Sequence, residues 1–258
     1  MLLERKNAII YGGGGNVGGA VARAFAREGA HVFLAGRTLA SLDRVAEAIR
    51  SAGGSAEPEQ LDALDEAAVD AHADAVAATA GSIDISLNVI KHGDLHGTPL
   101  AEMALDDFMR PVVTALKSQF LTARAAARHM IRQGSGVILL FGGTNSRITL
   151  RDYHTGGRQI YMGGTQVAFG ALDLLRRQLA AELGPSGIRV LTLESGGVPE
   201  TIAGPGSEII AAGLTSLTML KRPETLEDIG NVAVFAASDL ARSMTGTALN
   251  ITFGRVSD

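Results

Sequence analysis

The sequence predicts an α/β protein, a doubly wound parallel sheet with helices on both faces, and three observations carry that prediction. Short apolar runs alternate with longer helical patterns along all 258 residues, as in strands joined by crossover helices. The runs are apolar on both faces, as in Val137-Ile138-Leu139-Leu140-Phe141, which suits a strand covered on both sides rather than a one-sided antiparallel strand. A glycine-rich turn follows directly on the first run.

Strands are expected over residues 8–11, 31–35, 56–61, 83–89, 137–141, 188–193 and 248–252. Helical patterns lie between them at 17–27, 39–50, 66–79, 105–132, 165–183 and 226–237. Right-handed crossovers turn this order into a Rossmann-like sheet of seven parallel strands. No composition shift, linker or repeat divides the chain, so residues 1–258 read as a single domain. Two stretches lack a pattern, 142–164 after the fifth strand and 194–223 after the sixth. Both leave carboxyl ends of strands, where open α/β sheets hold ligands, and together they are read as the substrate mouth. The second holds Gly196-Gly197, Pro199, Gly204-Pro205-Gly206 and an apolar run over 214–220. It reads either as a mobile lid or as an oligomer contact or plain surface loop.

Composition removes several function classes. The net charge is −4 and no Lys/Arg run occurs, which argues against nucleic acid as a partner. With no cysteine, disulfides, thiol nucleophiles and Cys-ligated metals are excluded, and the six histidines show no metal-ligand spacing. Residues 1–6 lack a signal-peptide apolar region and no apolar stretch is long enough to span a bilayer, so no membrane partner and a cytoplasmic protein are expected.

The most specific motif is the first turn. Ala8-Ile9-Ile10-Tyr11 leads into Gly12-Gly13-Gly14-Gly15-Asn16-Val17-Gly18-Gly19 and then a helical pattern, so Gly13, Gly15 and Gly18 satisfy G-x-G-x-x-G between strand and helix. Glycines there let backbone amides approach a pyrophosphate seated on the helix N-terminus. The second strand ends in Gly36-Arg37-Thr38, with an arginine where an NAD site wants a carboxylate for the ribose. A guanidinium can hold a 2′-phosphate bidentately, which favours NADP over NAD. Asp62, after the third strand, either meets the adenine edge or caps the next helix.

These features, with Asp84-Ile85-Ser86-Leu87-Asn88, the LAAELGPSGIRV segment over 179–190, Gly196, Ala237-Ser238-Asp239 and Thr245-Gly246, resemble the short-chain dehydrogenase/reductase family over nearly the whole chain. The resemblance implies an NAD(P)-dependent oxidoreductase of carbonyls and alcohols, a small-molecule substrate, and a homodimer or homotetramer. Gly12 and Gly18 match two glycines of the family's T-G-x-x-x-G-x-G turn, while Tyr11 replaces its threonine and Asn16 its middle glycine. The candidate cofactor-binding set is Gly12, Gly13, Gly15, Asn16, Val17, Gly18, Arg37, Thr38, Asp62, Ala63, Asn88, Gly196 and Val198. Thr201 lies one residue off the register of a family contact to the nicotinamide amide. The Arg124–Arg128 stretch falls where members commonly dimerise.

The family's catalytic Tyr-x-x-x-Lys pair, serine and asparagine do not carry over. Counting back without a gap from Gly187-Ile188-Arg189-Val190 puts Thr165 at the tyrosine and Phe169 at the lysine. The serine falls on Gly142 or Gly143, and the asparagine of the fourth helix on Ala115. An alternative register pairs Tyr161 with Thr165, at the cost of one extra helical turn, and still lacks the lysine.

Carbonyl reduction needs a proton donor and a group that stabilises the developing oxyanion. Candidates for these roles are Tyr161, Thr144 in place of the serine, Lys91 as the cation, and Thr165. Tyr153, His154 and His92 read as plain loop residues, and Asp106, Asp107, Glu224, Glu227 and Asp228 as carboxylates offsetting helix dipoles. Three functional readings follow: an atypical NADP-dependent oxidoreductase of a small carbonyl or alcohol, a non-catalytic NADP-binding sensor or partner subunit, and a redox-neutral enzyme on the same scaffold.

Overall fold

The computed structural model describes residues 1–143, 154–155, 158–159, 161–204 and 206–256. In chain order the elements are β1 (Asn7–Tyr11), α1 (Asn16–Arg27), β2 (His31–Gly36), α2 (Leu39–Ser51), β3 (Ser55–Gln60), α3 (Glu66–Ala80), β4 (Ile85–Asn88), α4 (Leu105–Gln133) and β5 (Gly136–Gly143). A short antiparallel pair follows, β6 (His154–Thr155) and β7 (Arg158–Gln159), then α5 (Gly164–Leu183), β8 (Ile188–Ser195), α6 (Ser207–Ser216), α7 (Leu226–Ala237) and β9 (Ala248–Asn250). The main sheet has seven parallel strands in the order β3-β2-β1-β4-β5-β8-β9. The order reverses between β1 and β4, which opens a crevice at their carboxyl ends.

Each face of the sheet carries its own core. On one side Ile10, Leu34, Leu87, Leu139 and Leu191 pack under α1, α2 and α7. On the other Ile9, Tyr11, Ile138, Leu140 and Val190 meet α3, α4 and α5. The central strands are buried on both faces, which is why they read as unbroken apolar runs. β3 is one of the two edge strands, largely exposed and carrying Pro58, whose missing N–H an edge tolerates. Among the described residues no helix is long and apolar enough to cross a membrane.

Two elements lie in stretches read as irregular. The β6–β7 pair falls inside 142–164, and α6 falls inside 194–223. α6 (SEIIAAGLTS) has no buried residue, so it carries no contrast between a polar and an apolar face, the signal by which a helix is recognised in sequence.

Candidate active site

At the carboxyl end of β1 the chain turns into α1 through residues forced to be glycine by the backbone. Gly12 has φ +84, and a Cβ there would stand 3.0 Å from the Val89 carbonyl oxygen. A Cβ on Gly18 would stand 2.2 Å from the Gly12 oxygen. Gly13 would press on the Leu34 side chain at 2.8 Å, whereas Gly15, at φ −82, would meet nothing nearer than the Gly12 oxygen at 3.3 Å. The steric requirement therefore rests on Gly12 and Gly18, and the open position is Gly15. α1 starts without a side-chain cap, and Gly15 and Asn16 are exposed. Its leading amides and the positive end of its dipole thus face outward, an anion cradle that fits a dinucleotide pyrophosphate. Val17, half-buried, packs against the core beneath. Tyr11 points away from this cradle: its ring lies in the α3–α4 core, edge-on to His72 at 5.9 Å.

Arg37 and Thr38 are exposed at the end of β2, beside the cradle. Gln60 Nε2 donates to the Arg37 carbonyl at 2.8 Å, fixing that backbone, and the Thr38 side chain makes no capping bond to α2. Asp62 is exposed and accepts from the Leu64 amide at 3.0 Å, whereas α3 is capped by Asp65, so Asp62 is not the helix cap. Ala63 is buried. Asn88 is buried at the end of β4, with its amide nitrogen donating to Thr122 Oγ1 at 3.1 Å and its oxygen accepting from the Ile90 amide at 3.0 Å. Its side chain therefore fastens the loop after β4 to α4.

Across the crevice the carboxyl ends of β4, β5 and β8 meet the first turns of α5. Gly163 (φ +53) and Gly164 bring that helix start against α4, where a Cβ on Gly164 would stand 1.8 Å from the Phe108 carbonyl oxygen. The helix therefore begins at Gly164 and leaves Tyr161 outside it, half-buried, with its carbonyl accepting from the Gly97 amide at 2.8 Å. Thr165 is buried and its hydroxyl donates to Asp94 Oδ1 at 3.0 Å. One turn on, Phe169 covers the end of β5, and a Cβ on Gly143 would stand 2.4 Å from its ring. Phe169 also joins an apolar cluster with Ala115, Ala168 and Leu172. Lys91 is exposed, and Thr144 and Tyr153 lie outside the described residues.

Two groups read as ordinary loop or unremarkable positions belong to this site. His92 is buried, with its ring 6.1 Å from that of Phe169 and edge-on to it. Burial holds it below the usual histidine range, against the opposing pull of Asp94, so it is neutral at neutral pH. Gln119, one turn beyond Ala115, donates to the carbonyls of Asn88 at 3.2 Å and Phe141 at 3.4 Å, joining the ends of β4 and β5. Among the described residues no group of three or more His, Asp or Glu is placed to hold a metal.

Gly196 and Val198 follow β8. The Gly196 amide donates to Glu224 Oε2 at 2.9 Å, and Val198 is buried in the core while its carbonyl accepts from the Thr201 amide and hydroxyl. Farther off, Ala125, Ala126 and Ala127 are buried, and Arg124 pairs with Glu66 at 2.7 Å and Asp70 at 3.1 Å. The alanines of that stretch thus face its own domain, while the Arg128 side chain is 51% exposed.

Residues 14–255 match the family model described as enoyl-(acyl carrier protein) reductase. An oxidoreductase of Bacillus subtilis, YxbG, is 30% identical over 255 residues, covering 95% of this chain and 88% of that protein. A short-chain dehydrogenase/reductase from Serratia marcescens is 27% identical with a TM-score of 0.83, covering 98% of this chain and 100% of that one. An NAD+-bound xylitol dehydrogenase, 23% identical over 96% of this chain and 98% of its own, shares the fold with a TM-score of 0.82. The seven-stranded order, the glycine turn and these likenesses together place the chain in the short-chain dehydrogenase/reductase family of oxidoreductases.

Proposed function

We propose that this protein is an NADP-dependent oxidoreductase of a small carbonyl or alcohol, working with a non-standard active site in the cytoplasm. The observation that carries the cofactor choice is the exposed Arg37-Thr38 pair at the end of β2, beside the uncapped start of α1 and with no carboxylate at that strand end. The amides at Asn16, Val17 and Gly18 would hold the pyrophosphate, with Gly12, Gly13 and Gly15 leaving room for it, Arg37 and Thr38 the 2′-phosphate, and Asp62 and Ala63 the adenine edge. When bound, NADP supplies or receives the hydride.

The chain supplies the proton chemistry. Thr165 and Phe169 both lie inside α5 with Tyr161 outside it, which supports the gapless register and a site without the Tyr-x-x-x-Lys pair. In that site His92, held neutral by burial, is suited to accept a hydroxyl proton, and Asp94, bonded to Thr165, favours the imidazolium that results. Lys91 and Tyr161 stand on segments beside the same carboxyl edge and, with Thr165 and with Thr144 outside the described residues, complete the candidate catalytic set. Exposed Val113 and Phe120 on α4 and Val167 and Leu174 on α5 favour a homodimer or homotetramer built on these helices.

One observation favours a second reading, a non-catalytic NADP-binding protein: Phe169 occupies the space over Gly143 where a carbonyl-orienting hydroxyl would stand. Titration with NADPH and NADH, followed by NADPH oxidation against aldehydes and ketones by wild type and His92→Gln, separates the readings. Turnover lost in His92→Gln with binding retained supports the first. Binding without turnover supports the second.

A further inference from the structure

Glu224 is a buried carboxylate that the proton chemistry above does not use. It immediately precedes Thr225, the cap of α7, and is 3% exposed. The helix does not need it, because Thr225 and Asp228 close a capping box between them. Glu224 turns instead to the end of β8. Its Oε2 accepts from the Gly196 amide at 2.9 Å and the Ser195 side chain hydrogen-bonds to it, while its Oε1 is buried with no hydrogen-bond partner among the described residues. Arg255 donates to the Gly196 carbonyl from the other side. A small cleft, open to solvent, lies against this arrangement and is lined in part by Leu214, Thr218, Thr252 and both charged residues.

We propose that Glu224 is a positioning residue: with Arg255 it clamps Gly196 and so sets the segment after β8 against the nicotinamide end of the cofactor. The second half of this statement rests on the NADP reading; the clamp itself does not. β8 ends at Ser195, and Gly197 takes φ +108, so the chain leaves the sheet abruptly. Besides the clamp, the Gly197 amide bonds only locally, to Ser195 Oγ at 3.1 Å. A carboxylate accepting from an amide holds it more firmly than a neutral carboxyl does. Whether Glu224 is charged therefore decides how tightly Gly196 is held.

The charged groups facing Glu224 are Arg255, from the C-terminal segment, which favours the ionised form, and Asp228, from α7, which opposes it. From the end of β8, Ser195 and Gly196 donate to it and also favour ionisation. Burial outweighs them and pushes the carboxyl up to about 7. The clamp is thus firm above neutral pH and slack below it.

The test uses the full-length 15N-labelled protein, with the Gly196 amide resonance followed from pH 5.5 to 8.5 in wild type, Glu224→Gln and Arg255→Gln, and NADPH affinity measured at pH 6 and pH 8. In wild type the resonance should move with a midpoint near 7. In Glu224→Gln that transition should vanish, and in Arg255→Gln its midpoint should rise, because the neighbouring cation is gone. NADPH should bind wild type severalfold tighter at pH 8 than at pH 6, with that difference reduced in Glu224→Gln to what titration of the 2′-phosphate at about pH 6 leaves. A transition that persists in Glu224→Gln overturns the clamp. A lost transition with unchanged pH dependence of NADPH binding overturns the positioning role. If no NADPH binds at either pH, the cofactor reading fails, and the Gly196 transition alone decides the clamp.

Discussion

The two ends of the crevice are built in different ways. The end proposed for the pyrophosphate is made of backbone: Gly12 and Gly18, which nothing larger can replace, and helix amides with no side chain over them. The chemical end is made of side chains drawn from separate segments: His92 and Asp94 after β4, Gln119 on α4, Gly143 on β5, and Thr165 and Phe169 on α5. A backbone site depends on a few local dihedral angles and close approaches, so substitution elsewhere leaves it intact. A side-chain site can be refilled piece by piece, and here an aromatic ring, Phe169, packs onto a glycine, Gly143. Family membership therefore says more about what the first end binds than about what the second end does.

The sharpest way to break this contrast is at Gly18. A Cβ there would stand 2.2 Å from the Gly12 oxygen, so Gly18→Val should abolish NADPH binding, a loss of at least about 100-fold, and lower stability by about 2 kcal/mol or more. Gly15→Ala, with φ −82 and its nearest neighbour the Gly12 oxygen at 3.3 Å, should change binding by less than about 3-fold. Calorimetric titration and urea unfolding of both variants check the pair.

Arg37→Gln comes next. Loss of a charge-assisted bond to a phosphate should weaken NADPH by about 10- to 100-fold and leave NADH nearly unchanged. Equal weakening of both cofactors would mean that Arg37 contacts neither 2′ group selectively.

At the chemical end, Gly143→Ser should destabilise the fold by about 1–3 kcal/mol, since its Cβ meets the Phe169 ring at 2.4 Å. Adding Phe169→Ala should relieve that clash, giving a non-additive cycle in chemical denaturation. Additive effects would show that the ring does not fill the place over residue 143.

An effect of similar size is expected in stability against pH. Glu224 ionises near 7 in the fold and near 4.5 when unfolded, so the folded state binds the extra proton between those values and loses stability as pH rises through them. Glu224→Gln lacks this burial cost. It should match wild type near pH 5 and exceed it by about 1–3 kcal/mol at pH 8, read by urea unfolding at the two pH values.

Legibility in the sequence follows the same division. The strands were legible because burial on both faces leaves runs such as 137–141 unbroken, and the turn because glycine is dictated locally. β4 is shorter than its apolar pattern, starting at Ile85, because Asp84 accepts the Asn7 amide and ends the pattern's regular part. His92 was not legible, since nothing in the sequence tells that a loop imidazole folds beneath an aromatic ring. In sequence Glu224 reads as a helix-dipole carboxylate, because the local pattern hides that its partner is 28 residues away. Both are contacts between distant segments, and no periodicity encodes them.

The most direct test of the retained cofactor end is a calorimetric titration of the wild-type protein with NADPH and with NADH at pH 8. NADPH binding at least about tenfold tighter than NADH, the discrimination of one charge-assisted contact, is the outcome this reading requires. Binding of neither, or tighter binding of NADH, would contradict it and leave the likeness to the family one of fold.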